Sequence, residues 1–495
     1  MSGKVILAID QGTTGTTALL LTPDLKILAK ANTEFKQYYP KPGWVEHDPN
    51  EIWKSTLISI EKVLKTSSID PSSLFSIGIT NQRETVCAWD RNTGEILHRA
   101  IVWQCRRTSE ICRALKEKGL EETVSTKTGL LLDPYFSGTK MKWLLENIES
   151  IQKKAKSNSL SFGTIDTFLL NRFTSGESYF TEPSNASRTL LMNLKTGDWD
   201  PELLEIFGVS QSALPVIHSS DSHFGKTKGV GVLPDGIPIH GILGDQQAAL
   251  FGQACFEKGK GKATYGTGSF LLVNTGSEIY HSKNRLLTTV AWKLQNQLTY
   301  ALEGSAFIAG AAVQWLRDEL QIVDSSPESE ELALRAPLEE MGELVVVPAF
   351  TGLGAPYWNP EARGLISGIT RGTGRAHIAR ATLEAIALQN WELIECMKAD
   401  GQPFQELRVD GGASLNGLLI QTQSNLLDID CVRPENIETT ALGAAMMAGL
   451  GVGVWSGFQD LASSWQESKR FNPDHTLENY TNALKKKWKE AVKKA

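Results

Sequence analysis

The sequence predicts an α/β fold in two related halves, and three observations carry that prediction. Short apolar runs alternate with longer amphipathic ones, the pattern of strands interleaved with helices. A strand, a Gly/Thr turn and a second strand open the chain (KVILAID, QGTTGT, TALLLT), and a similar unit returns at 263 to 275, where ATYGTG leads into SFLLVNT. At 495 residues the chain exceeds one ordinary core, and ~150 residues per domain allows two to four.

In chain order, the first unit reads as a hairpin with a polar tip, because two apolar runs flank a turn of glycine and threonine. SIGIT at 76 to 80 and IVW at 101 to 103 read as strands, and KMKWLLENI at 140 to 148 and DTFLLNRF at 166 to 173 as helices. After GDQQAALFG at 244 to 252 the chain turns basic and glycine-rich (FGQACFEKGKGK), which puts the domain boundary near 250 to 260, with one domain over 1–253 and a second over 254–495. In the second half ELVVVPAF at 343 to 350 reads as a buried strand. HIARATLEAIALQNWELIECM at 377 to 397 is a helix whose aliphatic stripe is core packing. ETTALGAAMMAGLGVGVW at 438 to 455 is a helix of small residues that permits close backbone approach.

Composition excludes several classes. Hydrophobic residues at 41% and charged residues at 21% leave no case for a disordered or fibrous chain. A formal net charge of -6 offers no broad cationic surface, which argues against nucleic acid as the partner. The basic run Lys485 to Lys494 around Trp488 fits the C-terminus of a helix better than a membrane patch. Six scattered cysteines without a CxxC suit a reducing compartment. The apolar stretch Val5 to Ile9 is too short for a signal peptide, and no run reaches the ~20 residues of a spanning helix, so the cytoplasm and no integral membrane segment are expected. The histidines show no ligand spacing.

The two Gly/Thr hairpins suit a polyphosphate. In DQGTTGT, Gly12 and Gly15 let the backbone curl so that amides converge, and Thr13 and Thr14 add hydroxyl donors. Asp10 would then sit beside phosphates, where a carboxylate is repulsive unless Mg²⁺ lies between. Taken alone, the same segment reads equally as a glycine hairpin capped by an aspartate. Gly266, Thr267 and Gly268 of YGTGSF would close a clamp from the other side, and VDGGASLN at 409 to 416 ends a strand in a double glycine against which adenosine could lie. No GxxxxGK[ST] sequence and no protein-kinase glycine loop occurs.

These three pieces, in this order, resemble the actin-like ATPase superfamily. The resemblance implies two actin-like (ribonuclease H-like) ATPase domains, each on a mixed five-stranded sheet, flanking a cleft that holds ATP. YFSGTKMKWLLEN at 135 to 147 and GLISGITRGTGRAHIARATLE at 364 to 384 are similar to the two signatures of the FGGY carbohydrate kinases. Within that family NQRE at 81 to 84, WQCRR at 103 to 107, DPYFSGTK at 133 to 140, GDQQAALFGQ at 244 to 253 and FTGLGAPYW at 350 to 358 look like the members that phosphorylate glycerol. By that resemblance Arg83, Glu84, Tyr135, Asp245 and Gln246 hold glycerol, with Trp103 and Phe270 walling its carbons. A triol needs donors and acceptors together, which this set provides. Asp245 is the expected general base, at an ordinary carboxylate pKa of ~3.9, and with Asp10 a candidate ligand of Mg²⁺. Gly310, Gln314, Gly412 and Asn416 match positions near the nucleotide, although for Gln314 a solvated helix face reads as well from the residues alone. The resemblance also implies a dimer or tetramer.

The chain departs from that pattern in three places. Thr17 stands where many bacterial members carry an arginine near the phosphates. Gly236 in LPDGIP stands where some members use an arginine to bind fructose 1,6-bisphosphate, so that inhibition is expected to be weak or absent. GKTKGVGV lacks the histidine that other members present to a phosphocarrier. The alternatives to a glycerol site are an FGGY kinase for a pentulose or another polyol, and an actin-like protein that uses ATP only as a switch.

Overall fold

A computed structural model describes residues 4–402 and 404–495. The opening apolar runs form strands β1 (Val5–Gln11) and β2 (Gly15–Leu21), an antiparallel hairpin whose alternate side chains are buried on both faces. β3 (Ile27–Glu34) pairs antiparallel with β2, and β4 (Leu74–Asn81) runs parallel to β1 on its other side. β5 (His223–Lys226) and β6 (Pro238–Gly244) complete the sheet in the order β5-β6-β4-β1-β2-β3. Helix α1 (Pro49–Ser67) covers it. Asp48 caps that helix by accepting from the Asn50 amide, Pro49 supplies the fixed φ of a first turn, and Ser68 ends it in the left-handed region.

The second half repeats this plan. β7 (Gly261–Tyr265) and β8 (Ser269–Gly276) form the second hairpin. β9 (Leu287–Leu294) and β10 (Gln297–Ala306) extend it, and β11 (Glu406–Asp410), β12 (Asp430–Pro434) and β13 (Glu467–Phe471) lie on the other side, in the order β9-β10-β8-β7-β11-β12-β13. Matched strand for strand, β3-β2-β1-β4-β6-β5 and β10-β8-β7-β11-β12-β13 have the same sequence of antiparallel and parallel pairings. The expected five-stranded core is therefore present twice, each time with an antiparallel edge strand added, and β9 is extra in the second half.

The two halves meet through helix α2 (Asp245–Gly252), which follows β6, and helix α4 (Thr439–Gly451) of the second half. Their backbones touch at Gly443, where a Cβ would lie 1.8 Å from the Ala248 carbonyl oxygen. That is the close approach the small-residue helix predicts. Helix α3 (Arg375–Ala399) is the 25-residue backbone of the C-terminal core, which buries Leu383, Ile386, Leu388, Leu393 and Ile394.

Some elements are shorter than the sequence suggests. Of ELVVVPAF only Val345–Val347 is strand, paired with Leu365–Ser367 in a two-stranded ribbon. The strand before Trp103 is Ile96–Ile101, and the chain leaves it at Val102, whose amide bonds to the Val45 carbonyl. It belongs to an additional five-stranded sheet of the N-terminal half. The basic run spans the last turns of the helix Glu478–Val492 and the two residues after it, and within that helix Trp488 is fully buried and its indole donates to Glu392 at 3.2 Å. Trp488 is thus a core residue. Among the described residues no helix is long and apolar enough to cross a membrane.

Candidate active site

The tips of the two hairpins and the ends of β4 and β6 converge on the cleft between the halves. Two cavities lie there, of about 350 and 370 Å³, and both are lined by Gly266 and Thr267.

The first is lined by Thr13, Thr14, Arg83, Glu84, Trp103, Tyr135, Asp245, Gln246 and Phe270, together with Gly268. Every residue expected to hold glycerol is therefore in one chamber, although the set comes from positions 83 to 270. β4 delivers Arg83 and Glu84 just beyond its C-terminal end, and β6 delivers Asp245 and Gln246 at the start of α2. The aromatic wall is assembled edge to face, with the Trp103 ring 5.6 Å from Tyr135 and 6.4 Å from Phe270. The Trp103 indole donates to Thr13 Oγ1 at 3.0 Å, which leaves the Thr13 hydroxyl proton free for a phosphate oxygen.

Arg83 is fixed by a partner absent from the expected set. Glu303, on β10 of the other half and fully buried, takes Arg83 Nη1 at 2.6 Å and Nη2 at 3.1 Å. The same carboxylate takes Arg188 Nη2 at 3.0 Å, and Arg188 Nε donates to Glu84 at 2.6 Å. Burial alone would raise the Glu303 pKa, but the two guanidiniums hold it below the ordinary carboxylate value. The Asp245 carboxylate lies 3.0 Å from Arg83 Nε without hydrogen-bond alignment, so that N–H has no aligned acceptor and can serve a ligand. The Tyr135 hydroxyl also makes no hydrogen bond among the described residues.

Glu84 holds a left-handed backbone, φ 60°, unusual for a side chain of its size. Its carbonyl is gripped by Ser137 Oγ at 3.1 Å and by the buried ammonium of Lys140 at 3.4 Å, and Lys140 also donates to the Tyr135 carbonyl. Burial lowers the Lys140 pKa to about 7. Arg188, Glu303, Lys140 and Lys262 are the functional surroundings that sequence reasoning missed. Lys140 stands inside the quoted stretch DPYFSGTK, but no local motif marks the other three; only the repeated hairpin topology, which brings β7 and β10 to the cleft, could have pointed to Lys262 and Glu303.

Asp245 departs from its expected ordinary pKa. It lies deep in the cleft, and burial pushes its carboxyl upward, with Arg83 and Lys262 acting in the opposite sense. Its Oδ1 accepts from the Gln246 amide at 2.7 Å. Asp10 sits nearby on β1. Burial, Asp245 and Glu438 together push its pKa up to about 7, and Lys30, paired with Glu438 at 2.5 Å, offsets them in part. The Asp10 carboxylate receives no hydrogen bond among the described residues. Two mutually repelling acids beside the first Gly/Thr turn are a donor set that fits a hard cation, and no third ligand joins them in a cage among the described residues. Thr17 pairs with Asp10 across the hairpin, and its hydroxyl accepts from Asn32 at 2.9 Å. Gly15 does not face the cavity; its carbonyl closes the turn by accepting from the Gly12 amide at 2.9 Å.

The second cavity is lined by Gly310, Gln314, Gly412 and Asn416, with Leu383 and Leu415 supplying apolar wall. Gln314 is exposed yet borders the cavity, and Asn416 caps the following helix by accepting from the Leu419 amide at 2.9 Å.

Comparison with known proteins follows this division. Residues 5–252 match the N-terminal domain of the FGGY family of carbohydrate kinases, and residues 261–452 match its C-terminal domain. A glycerol kinase of Bdellovibrio bacteriovorus is 54% identical over 491 residues, covering 99% of both chains, and one of Deinococcus radiodurans is 52% identical over 99% of this chain and 97% of its own. A crystal structure of Plasmodium falciparum glycerol kinase with ADP superposes with a TM-score of 0.90 at 36% identity, covering 99% of this chain and 98% of that one. A xylulose kinase from Lactobacillus acidophilus, 21% identical with a TM-score of 0.88 over 98% of this chain and 97% of its own, shares the fold.

Proposed function

The chain belongs to the FGGY family of carbohydrate kinases, and we propose that it transfers the γ-phosphoryl group of ATP to glycerol, giving sn-glycerol 3-phosphate and ADP. The observation that carries this reading is the pair of cavities joined at Gly266 and Thr267. A nucleotide whose base lies beside Gly412 and Leu415 passes its phosphates over that turn, into the chamber that holds Asp245 and the Arg83 and Glu84 pair.

Asp245 takes the proton of the attacking hydroxyl as that oxygen bonds to the γ-phosphorus and the bond to the bridging oxygen of ADP breaks. Its Oδ1 is held by the Gln246 amide, which leaves Oδ2 for the proton. Burial raises its basicity above that of an ordinary carboxylate. Arg83 Nε–H and the Tyr135 hydroxyl supply donors to the remaining hydroxyls, and Glu84 an acceptor. The amides and hydroxyls of Thr13, Thr14 and Thr267 meet the phosphate oxygens. Asp10, with Asp245 beside it, would hold Mg²⁺, which when bound supplies positive charge against the phosphate oxygens.

A coupled ADP assay across glycerol, dihydroxyacetone, erythritol and xylulose tests the reading, with Asp245→Asn as control. Glycerol is expected to be the best acceptor, and the variant to lose at least about two orders of magnitude in kcat with nucleotide affinity kept. A pentulose turned over faster than glycerol, or acceptor-independent hydrolysis at the same rate, overturns it.

A further inference from the structure

Lys262 is a buried cation for which the chemistry above has no use. It lies on β7 of the C-terminal half with no solvent exposure, and its ammonium donates to Gln246 Oε1 at 2.6 Å, Thr264 Oγ1 at 2.7 Å and the Phe270 carbonyl at 3.3 Å. All three acceptors are neutral oxygens, so its contacts are those of an orienting group and not of an ion pair. An ammonium has donors only. The Gln246 atom it meets must therefore be the carbonyl oxygen, and an amide orientation that is ordinarily ambiguous is set here by chemistry. The Gln246 NH₂ turns the other way. It has no partner among the described residues, and Gln246 lines the acceptor chamber.

We infer that Lys262 is a positioning residue that fixes the donor sense of Gln246, so that side chains 245 and 246 present one acceptor and one donor to the same substrate hydroxyl. The inference rests on the acceptor-site reading above. Ionised Asp245 can only accept. A hydroxyl placed between the two gives its proton toward Asp245 while its oxygen takes the Gln246 N–H, and this alignment directs a lone pair away from the base. An amide free to rotate would offer its oxygen instead, and two acceptors cannot both be satisfied by one hydroxyl proton. The arrangement also crosses the cleft: Lys262 belongs to one half and Gln246 to the other, so the acceptor site is correctly polarised only when both halves are in place.

The test is glycerol binding to the full chain without nucleotide, followed by tryptophan fluorescence, in wild type, Lys262→Met, Gln246→Met and the double variant. Lys262→Met should weaken glycerol binding about tenfold, the loss of one directed hydrogen bond. ADP affinity should stay within about twofold, and adding Lys262→Met to Gln246→Met should weaken binding by less than a further twofold or so. Wild-type glycerol affinity in Lys262→Met, or two penalties that simply multiply, overturns the inference. Should Lys262→Met fail to fold, Gln246→Glu decides. Its carboxylate keeps the lysine contact but offers no N–H, so it should bind glycerol no better than Gln246→Met, and wild-type affinity there overturns the inference. A wild type that phosphorylates another polyol and binds no glycerol sinks the acceptor reading and this inference together, a result distinct from the others.

Discussion

The two cavities of the cleft are built from opposite materials. The cavity proposed for the nucleotide takes much of its wall from backbone, at Gly266, Gly310 and Gly412, with leucines beside them, and all of its lining comes from the second half of the chain. The acceptor chamber is made of charge, with Arg83, Glu84, Arg188 and Glu303 linked across 220 residues of chain and almost wholly out of water. A site made of backbone is sensitive to an added Cβ and indifferent to charge. A site made of buried ions is sensitive to the loss of any single partner, because the one left behind stays buried and unpaired.

Glu303 is where this difference should be largest. Glu303→Ala leaves two guanidiniums without their shared carboxylate, and breaking a buried pair of this kind destabilises by about 3 to 5 kcal/mol. Denaturant unfolding should show that loss, and glycerol affinity should fall with it because Arg83 is no longer held. A variant as stable as the wild type would mean that water enters the chamber and that the charges are not truly buried.

The same contrast explains what the sequence made legible. The glycine hairpins, the double glycine after β11 and the small-residue helix are local patterns with local causes, and each is present in the structure as the element the sequence predicts. Glu303 and Lys262 are equally central but stand in the apolar strands LTYALEGSA and GKATY, where one charged residue has no periodic signature. What gives them their place is contact across the cleft, Glu303 with Arg83 220 residues away and Lys262 with Gln246 of the other half, which no local pattern encodes. Asp245 was legible as a residue but not in its state, since its raised pKa comes from burial in the cleft, which no local pattern announces.

His47 tests the comparison at the first phosphate turn, which is backbone on its cleft side and polar side chains behind. The buried imidazole meets Gln37 Oε1 through Nε2 at 2.5 Å and Gln82 Nε2 through Nδ1 at 3.4 Å, and these glutamines hold the Thr13 and Gly12 carbonyls. The assignment is a neutral ring that donates through Nε2 and accepts at Nδ1. Burial lowers its pKa from 6.5 to about 3. A depressed pKa contributes stability that is present above the unfolded value and lost as pH falls toward the folded one, so the window is pH 6.5 down to 3. By pH 5 the loss should reach about 2 kcal/mol. Urea unfolding at pH 7.5 and 5.0 measures it, and in His47→Gln, which does not titrate, this part of the pH dependence should disappear.

The smallest effect belongs to the nucleotide cavity and separates two adjacent glycines. A Cβ built on Gly412 meets nothing within 4 Å and points into space the nucleotide would fill, whereas one on Gly411, at φ +83°, lies 2.6 Å from the Tyr265 carbonyl oxygen. Gly412→Val should therefore leave unfolding unchanged and raise the KM for ATP about tenfold by overfilling the cavity, with the KM for glycerol unaltered. Gly411→Ala should do the reverse, lowering stability by at least about 1 kcal/mol through left-handed strain and the clash with Tyr265. If both variants lost stability alike, the double glycine would serve the packing of β11 against β7 and not the nucleotide. If Gly412→Val raised the KM for glycerol as well, the two cavities would not be independent, and the division into a backbone-made and a charge-made site would fail at the turn they share.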